Sequence, residues 1–233
     1  MASTQRDSVD AGVFGAGAHA PYDQALRDPH RTLFLHETVE HSVSGSSRVQ
    51  LNVERFLAGA DLGDDELVRH LTGPVLDIGC GPGRIVKAAI LAGHLALGID
   101  VSTAAVEIAQ ERGLPVLCRS VFHDLPSEGT WATALLIDGN IGIGGDPTAL
   151  LRRCAELVAQ DGTGRVLVET HANPEVDRVF EGLVVDDLAR ASLPFPWAEV
   201  GAVALRRYAR DAGLRTTREW LFRGRPFSEL APA

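Results

Sequence analysis

The chain has 233 residues, enough for one sizeable core or a core with a lid, and its 45% apolar and 23% charged residues are those of an ordinary globular protein. A net charge of −9 with no Lys/Arg cluster argues against binding a nucleic-acid backbone, where basic side chains supply most of the affinity. No apolar run reaches the roughly 18 residues of a membrane span, and MASTQRDSVD lacks the basic start and apolar stretch of a secretory signal.

Residues 1 to about 20 are Gly/Ala-rich and aperiodic, which suggests a mobile or lid-like start. A short helix is expected over Tyr22–Asp28, stopped by Pro29. RTLFLHETVEHS and SSRVQLNVERFL read as two strands of a hairpin around SGS, and GDDELVRHLTG as a helix opened by Asp64 and Asp65. A regular alternation then sets in: strand 74–79, helix 84–93, strand 94–100, a helix opened by Ser102 or Thr103, strand 115–120, strand 131–138, a helix opened by Asp146-Pro147, and strand 164–171. Strand–helix alternation with short connections predicts a parallel, doubly wound α/β sheet. Residues 172–195 read as an inserted helix and loop, WAEVGAVALRRYARDAG as a helix, and LRTTREWLF with RPFSEL as a closing hairpin.

Residues 75–84, VLDIGCGPGR, are the most informative stretch. An apolar strand containing Asp77 ends in Gly79, Gly81 and Gly83, where missing side chains let a ligand touch the backbone before the next helix starts. A dinucleotide fingerprint needs G-x-G-x-x-G. Here the spacing is G-x-G-x-G, Arg84 stands where the third glycine would be, and Pro82 stiffens the turn. This form resembles motif I of the class I S-adenosylmethionine-dependent methyltransferases. Asp100, ending the next strand in ALGIDVS, strengthens the resemblance, because a carboxylate there can accept hydrogen bonds from a ribose diol and repels a 2′-phosphate. A third element, CRSVFHDLP, keeps the order of the family pattern but has Ser120 where an acid is common. The resemblance spans roughly residues 74–171.

The resemblance implies a Rossmann-like, seven-stranded sheet of order 3-2-1-4-5-7-6 with its last strand antiparallel. Residues 1–72 would form an N-terminal arm or lid, and 73–233 the cofactor-binding domain with an insertion near 172–199. It implies S-adenosylmethionine as cofactor. Asp77 would face its ammonium, Gly79, Cys80, Gly81 and Gly83 its methionine part, and Asp100 and Val101 its ribose. Ser120, Val121 and Phe122 would hold its adenine, and Tyr22 would close over its carboxylate. Asp138 and Asn140, at the end of the fourth strand, border the same crevice. The expected reaction is in-line methyl transfer to a small-molecule acceptor such as a secondary metabolite, with no nucleic-acid or membrane partner. If the acceptor needs a base, the candidates are His171, Asp138 and Glu169; Glu169 and His171 share one side of their strand.

His36 and His41 lie on the arm, and His123 beside the supposed adenine site. Phe34, Leu35, Phe56, Phe180, Leu193, Phe195 and Trp197 suit the mouth of a pocket for a partly hydrophobic molecule. Strand four reads LIDGN and lacks the N-P-P-Y tetrad that in the family accompanies methylation of bases or glutamine amides. Three other readings stay open: an NAD-dependent oxidoreductase, another reaction of the same cofactor such as cyclisation, and a non-catalytic cofactor-binding module. Cys80, Cys118 and Cys154 form neither a C-x-x-C pair nor a Cys/His metal spacing, so buried reduced thiols, no metal and a cytoplasmic bacterial protein, monomer or homodimer, are expected.

Overall fold

The computed structural model describes residues 12–15, 20–28, 30–38 and 48–233. The elements are α1 (Pro21–Arg27), β1 (Leu33–Glu37), β2 (Arg48–Leu51), α2 (Val53–Leu57), α3 (Leu62–Val68), β3 (Val75–Ile78), α4 (Arg84–Leu91), β4 (Ala96–Asp100) and α5 (Thr103–Glu111). After these come β5 (Val116–Cys118), β6 (Thr133–Leu136), a 3-10 turn (Asn140–Gly145), α6 (Pro147–Leu157), β7 (Arg165–Glu169), β8 (Asp177–Asp186), β9 (Phe195–Val200), α7 (Ala202–Asp211), β10 (Leu214–Phe222) and β11 (Arg225–Pro232).

The main sheet runs β10-β11-β7-β6-β3-β4-β5. β5, β4, β3, β6 and β7 are parallel, and β11 pairs antiparallel with both β7 and β10. Counted within the sheet this is the order 3-2-1-4-5-7-6, a Rossmann-like α/β fold. β3 sits at the centre and is buried at every position. Alternation along the strands splits the core in two. Leu76, Ile78, Ala134, Leu136, Val166 and Val168 face α6 and α7, whereas Val75, Leu135, Ile137 and Leu167 face α3 and α4. Each such buried aliphatic side chain contributes about 1.5–3 kcal/mol. Ser102 caps α5 by accepting the Ala105 N–H, and Asp146 caps α6 by accepting the Ala149 N–H.

The second layer departs from the sequence reading. β1 and β2 do form a hairpin, but they belong to a four-stranded antiparallel sheet, β2-β1-β8-β9. The segment expected to be a helix and loop is therefore mostly strand, and the residues around Trp197 expected in a helix lie in β9. The burial pattern gives the reason: β8 alternates more and less exposed residues along its length, a period of two that its charged residues and glycine hide. β2 also ends earlier than expected, because Asn52 caps the short α2 by accepting the Arg55 N–H. α3 starts at Leu62 with Asp61 as its cap, in a capping box with Asp64. The second layer docks on the main sheet through a cluster that includes Tyr22, Leu26, Leu33, Leu35, Val53, Ala104, Phe195 and Trp197. Cys80 and Cys154 are buried, but Cys118 is exposed, contrary to expectation. No helix among the described residues is long and apolar enough to cross a membrane. Pro29, His41 and the SGS turn lie outside the described residues.

Candidate active site

Strand ends and the glycine turn create the site. β3 runs into Gly79–Gly83, and the turn closes by a bond from the Gly83 N–H to the Cys80 carbonyl. Gly79 has φ +71°, and a Cβ there would stand 2.6 Å from the Asn140 amide nitrogen. Gly83 has φ +83°, and its Cβ would meet Leu114 at 2.6 Å. Both positions thus require glycine, one for the turn and one for helix packing.

Two cavities open along this edge. One, of about 140 Å³, is lined by Ile78 and Gly79, by Asp100 and Val101, by Ser120, Val121 and Phe122, and by Ile143 with Pro196 opposite. The other, of about 310 Å³, is lined by Gly79–Pro82, Arg84, Asp138 and Glu169–His171 on the main sheet. Its roof is Leu35, Val49, Leu51, Phe56 and Trp197 from the second layer.

Asp100 accepts the Gly81 N–H (2.8 Å) on one carboxylate oxygen and the Ser102 N–H (2.8 Å) on the other. Burial raises its pKa, against those backbone hydrogen bonds. Asp77 is 2% exposed, and its Oδ2 has no hydrogen-bond partner among the described residues. Burial, only partly countered by Arg84, pushes its carboxyl up to about 7. A cation brought to this turn would remove that penalty. Tyr22 lines both cavities, and burial raises its hydroxyl pKa well above the ordinary value.

Beneath the larger cavity, three arginines meet four carboxylates. Arg84 pairs with Asp64 and Asp138, and Arg55 with Asp138, Asp64 and Asp61. Arg225 grips Glu169 through two bonds of 2.8 Å and reaches Asp64 at 2.9 Å. Burial would raise the Asp61 carboxyl, but the Asp64 backbone and Arg55 outweigh it and hold it at about 2. Glu169 also accepts the N–H of Asp138, which is held at φ +57°, an unusual conformation for a residue other than glycine.

These contacts correct several expectations. Asp138 and Glu169 line the cavity, but arginines hold their carboxylates, so neither is a free base. Asn140 lines neither cavity; its amide donates to the carbonyls of Ile78 and Gly79 at 2.9 Å and props the turn. Gly83 and Asp77 also lie behind the cavity walls. His171 lines the larger cavity, and its Nδ1 accepts the Asn173 N–H at 3.0 Å. The same Nδ1 lies 3.4 Å from the Asn173 carbonyl, so this nitrogen ties the ring to its own loop. His36 and His123 line neither cavity. Tyr22 and Gly79 line both cavities, Cys80 and Gly81 the larger, and Asp100, Val101, Ser120, Val121 and Phe122 the smaller. The sequence reading missed Arg55, Asp64, Arg225, Phe14 and Thr170. The D-x-x-D spacing at Asp61–Asp64 was a capping signal; nothing local marked the others.

Residues 75–162 match the family model described as a methyltransferase domain. The matched stretch contains the glycine turn, Asp100 and the Ser120–Phe122 wall. A ubiquinone biosynthesis O-methyltransferase of Pseudomonas putida is 30% identical over 107 residues, covering 42% of this chain and 45% of that protein. The chain thus spans under half the length of the curated relatives it matches. Among solved structures, an S-adenosylmethionine-dependent methyltransferase from Bacteroides fragilis, in complex with S-adenosyl-L-homocysteine, superposes with a TM-score of 0.71 at 20% identity. The match covers 92% of this chain and 93% of that one. The sugar N-methyltransferase KedS8 from a Streptoalloteichus species gives a TM-score of 0.57 at 15% identity, covering 84% and 98%. These likenesses extend the shared fold beyond the methyltransferase domain to most of the chain.

Proposed function

We propose that this protein is an S-adenosylmethionine-dependent methyltransferase that acts on a small-molecule acceptor. The observation that carries the reading is the pair of cavities meeting at Gly79, with Asp100 lining the smaller one, inside a segment matched to a methyltransferase domain. The residues present fit the cofactor. Each Asp100 oxygen takes one backbone N–H and keeps acceptor capacity for a ribose hydroxyl, and Val101, Phe122 and Ile143 offer apolar faces to an adenine. Asp77 lines neither cavity, so its buried carboxyl favours a ligand ammonium through the turn, by charge and not by contact.

When bound, the cofactor supplies a methyl group already activated by positive sulfur. The protein's work is alignment and exclusion of water. The second layer roofs the larger cavity, so β1, β2 and α2 act as a cover together with β8 and β9. The acceptor lies under that roof with its apolar body against Leu35, Val49, Leu51 and Phe56. Its polar end faces His171, whose ring can meet an oxygen or nitrogen of the acceptor, and Thr170, whose buried Oγ1 has no partner among the described residues. With Asp138 and Glu169 held by arginines, the site favours acceptors that need little proton transfer.

Thermal-shift and calorimetric titration test the reading. S-adenosylhomocysteine should stabilise the protein and NAD should not; the reverse result would overturn the proposal. Asp100→Ala should weaken S-adenosylmethionine binding by about tenfold to a hundredfold, the effect of one or two hydrogen bonds to a charged group.

A further inference from the structure

Three aromatic side chains, Phe14, Tyr22 and Trp197, line both cavities, as does Gly79. They therefore stand at the seam. The Phe14 ring packs edge-on against Tyr22, with centroids 5.2 Å apart, and tilted against Trp197 at 5.3 Å. The three come from different places: the segment before α1, α1 itself, and β9.

Each ring is held from behind. Trp197 sits on Gly142, where a Cβ would stand 2.7 Å from indole Cε2, so that glycine is a seat for the indole. Phe195 meets Trp197 edge-on at 5.9 Å. The Tyr22 hydroxyl lies 3.5 Å from where a Cβ on Gly81 would stand. Phe14 packs in turn on Phe195, with centroids 5.0 Å apart, and the three rings form an apolar collar at the seam.

If the ribose binds at Asp100 and the methionine part at the glycine turn, the sulfur that joins them lies at the seam. This step rests on the cofactor reading above. The sulfur is a full cation before transfer and neutral afterwards, and it has no N–H with which to engage a carboxylate. Nearby Asp138 is already engaged by Arg55 and Arg84. Aromatic faces attract a ligand cation that lacks hydrogen-bond donors. We propose that Phe14, Tyr22 and Trp197 recognise the sulfonium charge, so that the protein holds S-adenosylmethionine more tightly than S-adenosylhomocysteine and lets the product go.

The test is calorimetric binding of the two ligands to the full chain. Phe14→Leu and Trp197→Leu keep apolar bulk but remove the aromatic face. Each should weaken S-adenosylmethionine binding about fivefold or more while S-adenosylhomocysteine changes by less than about twofold. Trp197→Phe should restore the preference. Phe14 is only half-buried, so Phe14→Leu decides the matter if Trp197→Leu does not fold. Equal weakening of both ligands, or an unchanged ratio, overturns the collar. A wild-type protein that binds neither ligand overturns the cofactor reading itself, and the collar with it.

Discussion

The smaller cavity takes its main-sheet walls from strand ends and the residues directly after them: Ile78 and Gly79, Ile99 to Val101, and Arg119 to Phe122. The larger cavity is closed instead by side chains from β1, β2, α2, β7 and β9, over a floor of ion pairs that reaches to the start of β11. The first depends on short segments that each carry their own geometry. The second depends on the whole chain having folded. One side can thus bind a common ligand through backbone and short side chains, while the other can vary its roof without disturbing the sheet.

The comparison breaks most sharply at Arg84. Its guanidinium is buried and pairs with Asp64, which is fully buried, and with Asp138. Arg84→Met should leave Asp64 and Asp138 to Arg55 and Arg225 alone and cost about 3 kcal/mol. For a chain of this size that corresponds to a fall in Tm of about 10 °C. Chemical denaturation gives the free energy directly; a loss near zero would show that the floor is not held by this pair. If the larger cavity alone depends on the floor, S-adenosylhomocysteine binding by the folded fraction should change little.

Asp77 probes the cofactor side. Its carboxyl is raised to about 7 from an ordinary 3.8, so the folded protein binds more protons than the unfolded chain between those values. Stability therefore falls as pH rises through roughly 4 to 7 and levels off above that window. Asp77→Asn should remove this slope and stabilise the ligand-free protein at pH 8 by on the order of a few kcal/mol. The same substitution should weaken S-adenosylmethionine binding. In the wild type, that binding should tighten from pH 5.5 to 8 and release a proton near pH 6.5, measurable by calorimetry in buffers of different ionisation heat. A flat pH profile for both stability and binding would contradict the buried, unpartnered carboxylate.

What the sequence disclosed follows the same division. The glycine spacing, Asp100 and the caps at Ser102 and Asp146 are local, because a turn or a helix start is decided by residues within a few positions. They place the main sheet and the smaller cavity. β8 and β9 were unreadable because their alternation runs through charged and small residues that only become a buried face once β1 lies alongside. Arg225 gave no signal either: it starts β11, 56 residues from Glu169, and an arginine after a turn reads as surface. Asp138 and Glu169 were placed at the right edge but given the wrong freedom, since their partners come from α2, α4 and β11.

The mildest test lies where the two regions touch. Ser102 caps α5, and its hydroxyl donates to Asp23 of α1 at 2.6 Å. One side chain thus joins a local signal, legible from sequence, to a contact between the main sheet and the cover that was not. Ser102→Ala should cost about 1 kcal/mol through the lost cap. Ser102→Gly, which retains much of the capping preference but not the hydroxyl, should cost only a few tenths for the cap. If the bond to Asp23 matters to how α1 seats Tyr22, both variants should speed dissociation of S-adenosylhomocysteine, although only the alanine variant loses the full capping energy. Stopped-flow dissociation rates that track stability alone would assign Ser102 to the helix; rates raised equally in both variants would assign it to the cover as well.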